Sequence, residues 1–202
     1  MQEERMMFVI DMVNGFVKKG ALADPKILRI VPTIKEVIKS NVGILIEVKE
    51  CHNMNSMEFK NFPPHCLEGT YEAGTCDELK ETLKGSYKFY KNSTSALFSK
   101  GLFEFIYKMQ PKEIIIMGCC TDICIMNFAI PLKNLFNELG LDIDIIVYKE
   151  AVDTYDSPDH NREEYNEMAF KLMKQSGVMV KSYEKEKSNN ENQIPKVKKL
   201  SK

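Results

Sequence analysis

The segment GCCTDIC, residues 118–124, holds the side chains best placed for covalent chemistry. It continues a short apolar run, EIIIMG (113–118), so the chain must turn there from strand into helix. Thr121 or Asp122 can cap that helix, which puts Cys124 in its first turn. Free backbone N–H groups and the positive end of the helix dipole at such a turn favour a thiolate. The same N–H groups can hold an oxyanion formed on an attacked carbonyl. Two other apolar runs end in suitable partners. MMFVID (6–11) ends in Asp11, which can accept the thiol proton, and SYKFY (86–90) runs into Lys91, whose ammonium favours the charged pair. The set therefore supports attack on a carbonyl carbon by Cys124, and none of the chain's three histidines is needed for it.

Each of these residues alone has a plainer reading. A cysteine in an apolar segment is ordinarily inert core, the assignment given to Cys119, with Cys120 left open. An aspartate at a strand end is commonly a turn or cap residue, and a lysine is commonly at the surface. Their shared position at strand ends is what points to a site.

The elements that must position them follow from the alternation of the chain. Apolar runs at 6–11, 42–48, 86–90, 113–118, 142–148 and 177–180 read as strands, continuous enough to be covered on both faces. Helical patterns lie between them at 24–40, with Pro32 as an interruption or restart, and at 101–109, 122–139 and 161–176. This alternation predicts a three-layer α/β sandwich around a mostly parallel sheet of six strands, in which ligands collect at the carboxyl ends of the strands. Residues 49–85 form a long connection of the kind that is usually functional. The segment 183–202 is polar and charged and reads as a loosely attached tail, leaving a single domain over 1–182.

With 28 basic and 29 acidic residues the formal net charge is -1, which offers no general attraction to nucleic acid or to an anionic membrane. No apolar run is long enough to span a bilayer, and the first residues lack the layout of a signal peptide. Six cysteines in such a chain then read as reduced thiols in the cytoplasm, and the twelve methionines as core filling.

Three stretches carry a family resemblance. FVIDMVNGFVKKGAL, FYKNSTSALF and MGCCTDICIMNFAI resemble the isochorismatase-like cysteine hydrolases, in their nicotinamidase-related branch, over roughly residues 6–180. The resemblance implies Asp11 as general base, Lys91 as catalytic lysine and Cys124 as nucleophile, with Phe16 at an aromatic pocket position. Lys88 is set aside because it precedes the strand end. A cis peptide between Cys119 and Cys120 is also implied, aiming the Cys120 and Cys124 N–H groups into one oxyanion hole. FPPHCLEGT (62–70) is similar to a nicotinamidase metal-and-pocket loop, with Phe62 stacking on a flat ring and His65 at a ligand position.

The family's Asp-x-His pair at the end of the second strand is here aligned with Glu47 and Lys49, and Glu58 with a further carboxylate. A protonated ammonium offers a metal no lone pair. The expectation is therefore no metal, or a weak site on Glu47, Glu58 and His65. Lys49 then takes the metal's place as a donor to substrate, or simply pairs with the glutamates. His52 and His160 read as loop residues. The implied reaction is hydrolysis of a small amide through a thioester, with no organic cofactor. A relative acting on a carbamoyl or ureido compound and a catalytically idle binding module are the alternatives, and self-association into a homo-oligomer is the partner expected beside the small-molecule substrate.

Overall fold

The structure is a computed structural model that describes residues 4–184 and 186. Six strands form one sheet: β1 (Arg5–Ile10), β2 (Ile44–Glu50), β3 (Tyr87–Lys91), β4 (Glu113–Cys119), β5 (Asp144–Asp153) and β6 (Met179–Lys181). Their order is β3-β2-β1-β4-β5-β6, and every neighbouring pair is parallel. The mostly parallel sheet expected from the sequence is wholly parallel. Strand order reverses between β1 and β4, so their carboxyl ends flank a crevice.

Side-chain alternation splits the core into two layers. Met6, Phe8 and Ile10 of β1 face one way with Ile44, Ile46 and Val48 of β2, packing against α3 (Leu102–Met109), α4 (Met126–Glu138) and α5 (Arg162–Gln175). Met7 and Val9 face the other way, toward α1 (Asn14–Val17), a 3-10 segment at Pro25–Ile30, α2 (Val31–Ser40) and the long connection after β2. The connection contributes Cys66, Cys76, Leu79 and Leu83 to that second core, which is why it holds its shape with only two short 3-10 segments of its own, Met57–Lys60 and Asp77–Leu79.

The local signals act as expected at several ends. Asp24 accepts the Lys26 N–H ahead of Pro25, and Pro32 sits in the first turn of α2, where its missing N–H costs nothing. Asn161 caps α5 through the Glu164 N–H. The expected tail boundary lies too early for its first residue: Tyr183 is buried, its ring centroid 5.2 Å from that of Tyr148. The rest of that tail, from 187 onward, lies outside the described residues. Among the described residues no helix is long and apolar enough to cross a membrane.

One glycine is required by the fold. At Gly118, φ is +120° and a Cβ would sit 2.0 Å from the Ile10 carbonyl oxygen, where β4 meets β1. Gly118→Ala is expected to destabilise the protein by about 3 kcal/mol or more, read as a fall of roughly 6–12 °C in Tm by thermal unfolding.

Candidate active site

The three residues singled out in the sequence converge at the β1/β4 crevice. β1 ends at Ile10, and Asp11 adopts a left-handed backbone (φ +54°) that breaks the strand's alternation. Its N–H still bonds to the Val48 carbonyl at 2.9 Å, while its Oδ1 accepts the Glu50 N–H at 2.7 Å. Lys91 is the last residue of β3, and its Nζ lies 2.8 Å from Asp11 Oδ2 and 3.6 Å from Cys124 Sγ. The same ammonium reaches Glu50 Oε2 and the Ser93 carbonyl. Cys124 lies in a wide, π-type turn, Thr121–Ile125, that leads into α4. The peptide between Cys119 and Cys120 is cis. Neither Thr121 nor Asp122 caps the turn; Cys120 stands at that position without a side-chain bond.

A cavity of about 520 Å³ opens over the cysteine. Phe16, Phe62, His65, Tyr155 and Ile123 wall it, with Glu50 and Glu58 on one side and Cys120 beside Cys124. Both aromatic positions expected to shape the pocket, Phe16 and Phe62, therefore border it.

Burial and charge set the proton inventory. Burial pushes the Asp11 carboxyl up to about 6, with Lys91 opposing and Glu50 adding to the rise. Burial works against the Lys91 ammonium, yet Asp11, Cys124 and Glu50 around it hold it well above the ordinary lysine range. Burial raises the Cys124 thiol well above its usual value; Lys91 pulls the other way, and Asp11 and Glu50 reinforce the rise. Desolvation and the two carboxylates thus oppose the thiolate that the helix dipole and Lys91 favour.

A second constellation adjoins the first. Glu50, His52, Glu58 and His65 bring one ligand atom each within 4.8 Å of one another. The two imidazole Nε2 atoms are 3.2 Å apart, and His52 Nε2 lies 2.9 Å from Glu50 Oε1 and 3.5 Å from Glu58 Oε2. His65 Nδ1 faces the Pro63 carbonyl at 2.8 Å, and His52 Nδ1 faces Asn92 Oδ1 at 2.5 Å. The Pro63 carbonyl accepts from His65 Nδ1, which leaves the His65 Nε2 lone pair facing His52 Nε2, itself within reach of the Glu50 carboxylate. Burial lowers the His52 pKa, but Glu50 and Asn92 outweigh it and raise the value. A proton on His52 Nε2 donated to Glu50, or a cation among the four groups, satisfies this arrangement. Two imidazoles and two carboxylates are a donor set suited to a divalent transition metal.

This cluster corrects the alignment made from the sequence. The acid-x-His pair at the end of β2 is Glu50 and His52, not Glu47 and Lys49. Alternation along β2 decides it: Val48, Glu50 and His52 continue toward the nucleophile, while Glu47, Lys49 and Cys51 belong to the other parity. Lys49 lines a separate groove, with its Nζ 5.4 Å from the centroid of the Tyr90 ring. Glu47 binds the Thr75 hydroxyl and pairs with Lys88 at 3.4 Å. Lys49 is therefore not a substrate donor in the catalytic cavity, and the expectation of no metal, which rested on it, loses its basis. His52 is fully buried, not an exposed loop residue.

His160, also expected to be a simple loop residue, is buried between Tyr155 and Tyr165, with ring centroids 3.8 and 3.6 Å away. Its Nε2 meets Asp122 Oδ2 at 2.8 Å and its Nδ1 meets the Tyr155 carbonyl at 3.1 Å. It thereby ties the cavity wall to the turn that carries Cys124. The spacing of 38 residues from Asp122 gave no sequence signal for this pair.

The isochorismatase domain profile matches residues 5–185, the whole of the sheet and both helical layers. The chain belongs to the isochorismatase family. Within it, this chain is 26% identical over 177 residues to nicotinamidase 1 of Arabidopsis thaliana, covering 76% of this chain and 71% of that protein. It is 29% identical over 150 residues to a probable inactive nicotinamidase of the same plant, covering 67% and 73%. The solved N-carbamoylsarcosine amidase of Thermoplasma acidophilum shares the isochorismatase fold at a TM-score of 0.69 and 21% identity, over 89% of this chain and 96% of that one.

Replacing the buried bridge tests its share in the wall. His160→Ala is expected to cost about 2 kcal/mol, seen as a Tm lower by roughly 4–8 °C. An unchanged Tm would remove the bridge from this description.

Proposed function

We propose that the chain is a cysteine hydrolase that cleaves the C–N bond of a small aromatic amide, nicotinamide being the first candidate. The observation that carries this reading is the placement of Lys91 Nζ 2.8 Å from Asp11 and 3.6 Å from Cys124 Sγ, with Cys124 lining a cavity. Asp11 takes the thiol proton as Cys124 attacks the carbonyl carbon; its raised carboxyl pKa, about 6, makes it the stronger base for that step. Lys91 balances the charge that develops on sulfur and carboxylate. The backbone N–H groups of Cys120 and Cys124 are the proposed donors to the oxyanion. As the tetrahedral intermediate collapses, the proton held by Asp11 goes to the leaving nitrogen, and ammonia departs from a thioester on Cys124. Water, deprotonated by Asp11, then releases the acid and the thiol.

Phe16 and Phe62 border the space above the sulfur and suit a flat ring. Glu50, His52, Glu58 and His65 would hold a divalent cation, which supplies a Lewis acid able to bind a lone pair of the substrate. Glu50 serves both sets, since it accepts from Lys91 and faces His52. The nicotinamidase among the relatives supports the substrate; the probable inactive one makes idleness the outcome to test against.

Ammonia release distinguishes the readings. Wild-type protein is expected to release ammonia from nicotinamide, and Cys124→Ala to lose at least about a thousandfold in kcat/KM. Turnover of N-carbamoylsarcosine alone moves the substrate to the carbamoyl class. No turnover of either by metal-replete protein refutes the hydrolase reading.

Elemental analysis of the purified protein tests the cation. About one equivalent of zinc, iron or manganese is expected, falling severalfold in the His52→Ala, His65→Ala double variant. Equal metal content in the two proteins would exclude the cluster as its site.

A further inference from the structure

On the opposite side of β2 from the catalytic cavity lies a groove lined by Lys49, Cys51, Asn53, Thr70, Tyr90 and Asn92, with Glu68 at its edge. Its volume is about 610 Å³. Lys49 is 9% exposed, a level at which lysines are ordinarily paired with a carboxylate. Among the described residues its ammonium has no ion pair and no side-chain hydrogen bond, and it lies over the face of Tyr90. The carboxylate two residues back on the same strand face is already used, since Glu47 binds Thr75 and Lys88. Glu68, which also lines the groove, is exposed to solvent.

The two asparagines complete a donor set. Asn53 Oδ1 accepts the Asn55 N–H at 2.9 Å, and Asn92 Oδ1 meets His52 Nδ1 at 2.5 Å. Each asparagine is left with its NH₂ group for a ligand. One ammonium and two amide NH₂ groups line a concave, solvent-reached surface where Glu68 is the one anionic side chain. We propose that this groove is a binding site for a small oxyanion, a carboxylate or phosphate group held by Lys49, Asn53 and Asn92, separate from the catalytic cavity. Neutralising Lys49 supplies the charge partner that the fold withholds from it, and Tyr90 gives a bound organic anion a flat surface to rest on.

Calorimetric titration of the full chain with inorganic phosphate and, separately, with acetate tests the site and separates the two sources of the charge. Saturable binding of at least one probe is expected, weakened tenfold or more in Lys49→Met and at least partly retained in Lys49→Arg. Asn53→Asp keeps the acceptor for Asn55 and adds a repelling charge, so it too is expected to weaken binding; it stands in should Lys49→Met fail to fold. Cys124→Ala is expected to bind as wild type does, which excludes the catalytic cavity as the place of binding. Alkylation of Cys51, followed by peptide mass spectrometry, is expected to slow severalfold in the presence of the bound probe. Failure of both probes to bind, or undiminished binding by folded Lys49→Met, would overturn the proposal. These readouts do not depend on any turnover, so they stand or fall apart from the hydrolase reading.

Discussion

A buried ammonium organises the carboxyl end of the sheet. Lys91 has no exposed side-chain surface, and such a charge is tolerable only when surrounded by anions and acceptors. Asp11, Glu50, the Ser93 carbonyl and the Cys124 sulfur supply them, from the ends of β1 and β2, the loop after β3 and the turn after β4. Three parallel strands and a helix start must therefore finish at one height. The register of the sheet provides this: Ile10 is paired with Val48 on one side and Gly118 on the other, and Glu50 with Lys91. Asp11 adds a left-handed residue and Gly118 a conformation closed to other side chains, so the two central strands depart from ideal geometry where their ends carry function.

The same strand serves two unlike environments. Along β2 and just beyond it, Val48, Glu50 and His52 build the floor beneath the nucleophile, and Lys49 and Cys51 line a groove behind it. One peptide step separates a carboxylate engaged with Lys91 from an ammonium that has no ion pair among the described residues. The His52 imidazole, whose Nδ1 leans on Asn92, stands between them. Neighbours in sequence are thus on opposite faces of a wall one residue thick.

The fold was largely readable because strand cores and helix ends declare themselves through local composition: continuous apolar runs, Asp24-Pro25, Asn161 and Gly177. The meeting of Asp11, Lys91 and Cys124 was readable because each follows such a run. The acid-x-His pair was placed three residues early because the apolar run 42–48 suggested a strand end at Val48, whereas β2 continues to Glu50. Period two then made the error absolute, exchanging one face for the other. The upward push of burial on the Cys124 thiol was out of reach for a different reason: desolvation depends on everything packed around the sulfur, and no local motif encodes it. His160 and Asp122 likewise meet only through the closed fold.

The cluster draws its donors from two kinds of support. Glu50 and His52 come from the sheet's margin, whereas Glu58 and His65 come from the irregular connection that follows, which also brings Phe62 to the cavity. A divalent ion seated among them would staple a loop to a scaffold, much as a cross-link does, and the chain entropy of that loop would be lost on loading and regained on stripping. Occupancy and the shape of the substrate's aromatic wall would then be a single equilibrium, so that chelation would disorganise the entrance as well as remove a charge.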